Sequence, residues 1–197
     1  MERDFFVHAT AEVPSEPCIG AGTRIWHQAQ VMTGASIGAD CTLGKGVFVG
    51  TGSSIGRLVK LGNYANVFGA TLEDEVFVGP NACLLEDPHP RATTPDGVRK
   101  GPGDFVARPV TVRHGATIGA AAVLLPGVTI GRFALIAAGA VVHRDVPHHA
   151  LVVGNPARQV GYVCRCGQRL NEDLDCACGR HYHLDQEGAL IAAEHDQ

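Results

Sequence analysis

The sequence predicts an all-β protein: a parallel β-helix of about seven coils, with one long inserted loop and a small cysteine-rich tail. Three observations carry this prediction. Every sixth residue from Val7 to Val67 is aliphatic: Val7, Val13, Ile19, Ile25, Val31, Ile37, Leu43, Val49, Ile55, Leu61 and Val67. The fourth residue after each rung is usually small or β-branched, as at Thr23, Ala29, Ala35, Cys41, Val47, Ser53, Val59 and Ala65. The residue just after a rung is often glycine, as at Gly20, Gly38, Gly44, Gly50, Gly56 and Gly62. A chain that is 45% hydrophobic would not sustain such a ladder by chance. A period of six also fails to match the 3.6 residues of an α-helical turn.

The physical reading is a coil of three short strands joined by tight corners. The rung residue points inward, the small residue faces the same narrow interior, and glycine is expected to permit the corner backbone. Three hexapeptides make one triangular turn, so Val31, Val49 and Val67 should stack, as should Ile19, Ile37 and Ile55. Successive coils would hydrogen-bond about 4.8 Å apart.

Length and charge bound the answer. The 197 residues suit one domain and a small appendage, and the net charge of −4 offers no basic surplus for nucleic acid or an anionic membrane. No apolar run reaches the length of a membrane span, and Met-Glu-Arg-Asp-Phe-Phe does not open a secretory signal, so the expected compartment is the cytoplasm. Of seven cysteines, Cys18, Cys41 and Cys83 are scattered through the coils, where small thiols fit the wall.

Taken in order, the ladder loses one residue after Val67 and resumes at Leu72, Val78 and Leu84, which predicts a shortened corner near Gly69. Residues 86–109 then hold five prolines and three glycines, a composition that rules out a regular helix or central strand. The ladder returns at Val106, Val112, Ile118, Leu124, Ile130, Ile136 and Val142, with Ala116, Ala122, Val128, Ala134 and Ala140 behind it. The loop is therefore an insertion at a corner of one continuous solenoid spanning residues 1–163. A loop of this length in a compact repeat protein is usually functional or disordered. Pro147 and Pro156 stop further coiling, and the apolar segment Ala150 to Val153 is available to cover the open end.

Five motifs sharpen the reading: Thr23-Arg24-Ile25-Trp26-His27, Val76-Phe77-Val78-Gly79-Pro80, Pro90-Arg91 in the loop, Ala138-Gly139-Ala140-Val141-Val142, and Asp145-Val146-Pro147 through Gly154-Asn155-Pro156-Ala157-Arg158. With them, residues 5–163 resemble the hexapeptide-repeat acyltransferases, and most nearly the N-acetyltransferases of nucleotide-linked 3-amino-3-deoxy sugars. The resemblance implies a left-handed β-helix, a homotrimer of parallel prisms, and active sites in grooves between neighbouring subunits. It also implies acetyl-CoA along the C-terminal coils, with a UDP- or dTDP-linked amino sugar nearer the N-terminal coils and the loop.

Amide formation from a thioester needs a neutral amine, a site for the oxyanion and an exit for the thiolate. A sugar amine with a pKa of about 8 is partly neutral at pH 7, so a weak base or an acceptor suffices. The candidate catalytic residues are Glu86, His89 and His27. An Asn commonly stands where Glu86 aligns in the resembled enzymes, so Glu86 is either the amine's proton acceptor or a solvated loop charge. His89, between two prolines, is a base near neutral pH or an exposed histidine. His27 is a sugar contact, the base, or a wall residue packed under Trp26. Arg24, Asn66, Asp87 and Arg91 are candidates for binding the acceptor, and Arg99, Lys100 and Arg108 for gripping phosphates. Ala120, Ala138 and Gly139 keep the wall low enough for a pantetheine arm, although small residues also suit β-helix corners, and in the family reading Arg158 meets a CoA phosphate.

The tail, residues 164–197, repeats a knuckle, Cys164-x-Cys166-Gly and Cys176-x-Cys178-Gly. Four thiolates in two close pairs suit a tetrahedral structural zinc in a reducing compartment, though the usual ribbon spaces each pair by two residues rather than one. His181 and His183 are available as substitute ligands. Two other functions fit a prism of this kind. A zinc hydrolyase of the γ-carbonic-anhydrase type would need three converging histidines, with His143 and His148 as the suggestive pair. A non-catalytic scaffold would make the loop decoration and the tail the working part.

Overall fold

A computed structural model of the chain describes residues 4–16, 18–101 and 103–193. The hexapeptide period becomes a series of two-residue strands, each with its rung residue turned inward and its predecessor facing out. They stack into three walls, with all the pairing within the coils parallel. The first wall carries Phe6–Val7, Arg24–Ile25, Thr42–Leu43, Lys60–Leu61, Phe77–Val78, Thr117–Ile118, Leu135–Ile136 and Ala150–Val153. The second carries Gln30–Val31, Phe48–Val49, Asn66–Val67, Cys83–Leu84, Val123–Leu124 and Val141–Val142. The third carries Cys18–Ile19, Ser36–Ile37, Ser54–Ile55, Thr71–Leu72, Thr111–Val112 and Thr129–Ile130. The expected stacking holds: Val31 pairs with Val49 and Val49 with Val67, while Ile19 pairs with Ile37 and Ile37 with Ile55.

The interior is a column of rungs. Leu43, Leu84, Leu124, Ile130 and Ile136 have no exposed surface, and burying each contributes about 1.5–3 kcal/mol against the unfolded chain. At the N-terminal end Val7, Val13 and Ile19 are only partly buried but still pack on the same cluster.

The corners correct the expected role of the glycines. Positive φ falls on the third corner residue, at Gln28, Gly34, Asp40, Gly46, Gly52 and Leu58 in succession, rather than on the residue after the rung. Gly38 serves a different need: an added Cβ would lie 2.5 Å from the Gly56 carbonyl oxygen and 2.6 Å from its carbon in the next coil. Close stacking, not unusual dihedrals, excludes a side chain there.

The corner at Phe68, Gly69 and Ala70 is one residue short, as the broken ladder predicts, with Gly69 at φ 55°. The insertion leaves after Cys83–Leu84 on the second wall and rejoins at Thr111–Val112 on the third, the next wall in order. One rung is corrected. Val106 is 81% exposed and lies in the loop. The second-wall position before Val112 is already filled by Leu84, which pairs with Val67 and Leu124. Val146 and Val152 are buried rungs beyond the expected end of the ladder. The solenoid thus makes seven full turns and an eighth pass over the first wall.

That eighth pass is Ala150–Val153, which pairs parallel with Leu135–Ile136 and then antiparallel with Arg158–Tyr162. The tail has its own small cluster of Cys164, Leu170, Cys176, Tyr182 and Leu190, and a hairpin of Tyr182–Leu184 and Leu190–Ala192. Among the described residues no helix is long and apolar enough to cross a membrane. The outer ends of the two expected units, 1–3 and 194–197, lie outside the described residues.

Candidate active site and candidate metal centre

Three edges join the walls, and most of the candidate residues fall on or beside two of them. The loop grows from the second edge, between the second and third walls. Glu86, at its root, is half-buried above the shortened corner, where an added Cβ on Gly69 would collide with Glu86 Oε2. Phe68, the preceding residue, packs on Phe48 with ring centroids 5.1 Å apart. Burial, followed by the charge of Asp87, pushes the Glu86 carboxyl above its ordinary range.

The neck of the loop is closed by the Arg108 N–H donating to the Glu86 carbonyl at 2.8 Å. Asp87 Oδ1 accepts the His89 N–H at 2.8 Å, which fixes the turn around Pro88. His89 and Arg91 are exposed, and Arg91 Nη1 donates to the Pro90 carbonyl at 3.2 Å. Farther out, Thr93 and Arg99 bridge antiparallel. Between the neck and this small hairpin lies a cavity of about 630 Å³, lined by Asp87, His89, Lys100, Phe105, Val106 and Arg108 among others. Its size suits a small-molecule ligand, and it presents two cations, Lys100 and Arg108, two carboxylates, Asp87 and Asp104, the apolar Phe105 and Val106, and the His89 imidazole.

The first edge, between the first and second walls, carries the other candidates. Arg24 faces out from the first wall and is exposed. Trp26 packs on Phe6 at 5.5 Å, and His27 stacks on His8 with centroids 3.5 Å apart. His27 also lies parallel to Trp26, with centroids 6.3 Å and planes 7° apart, so the packing expected under Trp26 is present and the His8 stack adds to it. Toward the C-terminal end, Ala120, Ala138 and Gly139 are exposed on the same edge, and the Gly139 N–H donates to the Ala120 carbonyl at 2.8 Å. A Cβ added at Gly139 would meet nothing within 4 Å, so the edge is open there. Arg158 begins the capping strand and is exposed.

Asn66 faces out from the second wall, between the two edges, and donates to the Tyr64 carbonyl at 2.9 Å. Within one chain, then, Glu86, Asp87, His89 and Arg91 are together. Arg24 and His27 form a second group, and Ala120, Ala138 and Gly139 a third. The second wall separates the loop root from the first edge. The Phe48–Phe68 pair, next to the shortened corner, carried no signal in the sequence, because each reads as an ordinary residue beside a rung.

His143 and His148 do not converge. His143 leaves the second edge, whereas His148 lies on the third, where its Nδ1 accepts the Arg132 N–H at 2.7 Å.

In the tail, Cys164, Cys166, Cys176 and Cys178 bring their sulfurs within 4.8 Å of one another. Two hairpin tips build this cluster: the Gly167 N–H donates to the Cys164 carbonyl at 2.8 Å and the Gly179 N–H to the Cys176 carbonyl at 2.9 Å. The Cys164–Cys178 and Cys166–Cys176 sulfur pairs are 3.6 Å apart. Zinc–sulfur bonds of about 2.3 Å give a tetrahedron with edges of about 3.8 Å, so the donor set fits a tetrathiolate metal ion. The Cys178 thiol is pulled down to about 6, first by the Arg180 N–H and then by the Cys176 thiol and the Arg180 guanidinium, with burial opposing. His181 is held by Asp175 at 2.7 Å, and neither His181 nor His183 joins the four sulfurs.

A family model described as the hexapeptide repeat of succinyl-transferase matches residues 34–68 and 109–144, which flank the shortened corner and the insertion. A dTDP-3-amino-3,6-dideoxy-alpha-D-galactopyranose 3-N-acetyltransferase of Aneurinibacillus thermoaerophilus is 47% identical over 74 residues, 36% of this chain and 38% of that protein. The galactoside O-acetyltransferase of Escherichia coli is 33% identical over 93 residues, 47% of this chain and 44% of that protein. The matches thus span under half the length of either relative. Among solved structures, a mutant of AntD, an N-acyltransferase from Bacillus cereus, in complex with dTDP and coenzyme A, superposes with a TM-score of 0.65. It is 18% identical and covers 75% of this chain and 84% of its own. The chain thus carries hexapeptide repeats on both sides of the insertion and shares its coiled fold with that solved structure.

Proposed function

We propose that the protein is an acetyl-CoA-dependent N-acetyltransferase acting on the amino group of a dTDP- or UDP-linked 3-amino-3-deoxy sugar. The observation that carries this reading is Glu86, a half-buried carboxylate with raised proton affinity at the root of the loop, next to Asp87, which lines the loop's cavity. The acceptor class draws support from the 3-amino-sugar acetyltransferase that matches over 74 residues, and the nucleotide from the dTDP in the superposed structure. In this reading Glu86 accepts a proton from the attacking amine, and His89 and His27 are the further candidates for moving it. Arg24, Asn66, Asp87 and Arg91 bind the acceptor. Acetyl-CoA lies along Ala120, Ala138 and Gly139, Arg158 meets a phosphate, and the departing thiolate takes up the proton.

The loop root and the first edge lie on opposite sides of the second wall, so this chemistry needs a second chain. The proposal is a homotrimer in which the loop of one chain faces the first edge of its neighbour. Residues 1–163 would form the catalytic unit and 164–197 a separate zinc-binding tail, with zinc on Cys164, Cys166, Cys176 and Cys178. Four thiolates on zinc need the reducing conditions of the cytoplasm.

Thiol release from acetyl-CoA across a panel of dTDP- and UDP-linked 3-amino sugars tests the reaction, and turnover with at least one member is expected. Silence across the panel together with no coenzyme A binding would discard it. Glu86→Ala and His27→Ala should each lose activity about a hundredfold. Co-expressed, they should recover about a quarter of wild-type activity, since one random neighbour pair in four joins an intact loop to an intact edge. No recovery on co-expression would sink the shared site.

A further inference from the structure

A short stack of rings runs along the third edge, between the third and first walls. His114, Phe133 and His149 follow one another from coil to coil, with centroids 5.2 and 5.2 Å apart. The stack continues into the tail, where Tyr182 lies 5.3 Å from His149. Coils repeat about every 4.8 Å, so Tyr182 occupies the step that one more coil would fill.

The other end of Tyr182 reaches the sulfur cluster. Its hydroxyl donates to Cys164 Sγ at 3.2 Å and accepts the Arg165 N–H at 3.1 Å. Arg180 Nη1 donates to Cys178 Sγ at 3.2 Å. Hydrogen bonds of this kind orient thiolate ligands and offset their charge. The strand entering the cluster is tied to the prism as well. The Val163 N–H donates to the His149 carbonyl at 2.8 Å, and His149 Nδ1 donates to the Val163 carbonyl at 2.9 Å. From the first knuckle, Arg169 Nη2 donates to the Val160 carbonyl at 3.1 Å and the Leu170 N–H to the Tyr162 carbonyl at 3.0 Å.

The buried cluster of the tail is small, and two of its members, Cys164 and Cys176, are themselves candidate ligands. So small a core does not hold a fold by burial alone, and a metal ion is the usual supplement. We infer that the four-cysteine site, holding a divalent thiophilic ion of the zinc class, is a clasp on the C-terminal end of the solenoid. It fixes Tyr182 against His149 and so holds the capping hairpin, Ala150–Val153 with Arg158–Tyr162, on the last coil. Tyr182 is a positioning residue: it touches a ligand, Cys164, and acts on the ion and on the cap through its hydroxyl and its ring. The inference rests on the metal reading of the tail and is independent of the acceptor sugar.

The test uses the full chain loaded with zinc. Elemental analysis should give one zinc per chain. Chelation should speed amide hydrogen exchange across residues 150–162 by about tenfold or more while leaving residues 111–136 unchanged. Tyr182→Phe keeps the ring and removes the hydroxyl. It should retain one zinc, release it to excess chelator about tenfold faster, and shift the thiolate-to-metal charge-transfer band of the cobalt-loaded protein. Failure of the full chain to bind either zinc or cobalt overturns the metal site and the clasp together. A bound metal whose removal leaves exchange at 150–162 unchanged overturns the clasp alone. So does a Tyr182→Phe variant with wild-type release and an unshifted cobalt band. Loss or retention of sugar acetylation bears on neither result.

Discussion

Glu86 holds its proton more tightly than an exposed glutamate because burial, and then the charge of Asp87, disfavour its ionised form. If the ionised carboxylate takes the amine's proton, activity is lost as pH falls through this raised pKa. The acceptor amine, with a pKa of about 8, sets a first acid limb of the rate profile, and Glu86 should add a second, steeper limb at lower pH but above the ordinary glutamate range of about 4.3. Asp87→Asn removes one of the two causes while its side-chain carbonyl still accepts the His89 N–H, so this second limb should move to lower pH with the loop intact. A pH–rate profile of kcat/KM for the variant checks this, and an unmoved limb would remove Glu86 from the proton path. Glu86 and Asp87 stand side by side in the sequence and were legible there as a pair of carboxylates. What lies beneath them was not. Gly69 meets Glu86 only because coils stack, and Phe68 and Phe48 look like any other outward residues although their rings pack on each other.

At the level of strands and corners, the period of six was readable from Val7 to Leu84 and again from Val112 to Val142, where inward rungs at fixed spacing set out the three walls. It failed at Val106, where the spacing from Val112 is right but the wall position was already occupied by Leu84. Periodicity reports what a side chain prefers and does not reveal whether its slot is free. The glycines were legible as corner residues and misread in cause, because backbone approach between coils is not written in any single hexapeptide. Two substitutions separate the forces involved. Leu124→Ala, which empties a fully buried rung, should cost about 2–5 kcal/mol. Gly38→Ala, which forces a methyl group against the Gly56 carbonyl, should cost about 1–3 kcal/mol. Urea unfolding of the two variants measures both, and a Gly38→Ala protein as stable as the wild type would mean that the coils are not in contact there.

The whole molecule is a continuous prism from which a loop and a tail project. Its candidate residues sit on two edges that one chain does not bring together, which is why sequence motifs identified the groups and left their meeting unresolved. The tail was legible as four thiols in two knuckles, whereas its attachment through Tyr182 depends on a ring column that no local spacing announces. The insertion departs from Leu84 and rejoins at Val112, positions on consecutive walls, so it spans an ordinary corner. Replacing residues 86–109 with a two-residue turn, which with Leu85 and Val110 restores a four-residue corner, should therefore leave the β-sheet circular dichroism and the melting midpoint close to wild type, since closing a shorter loop costs less entropy. The same change should abolish acetyl transfer, and a collapsed midpoint would show that the loop is part of the scaffold. Because the corner carries the branch without altering the coils on either side, lineages built on this prism can exchange one branch for another by inheritance. What the protein recognises can then drift or be recruited anew while its architecture is passed on unchanged.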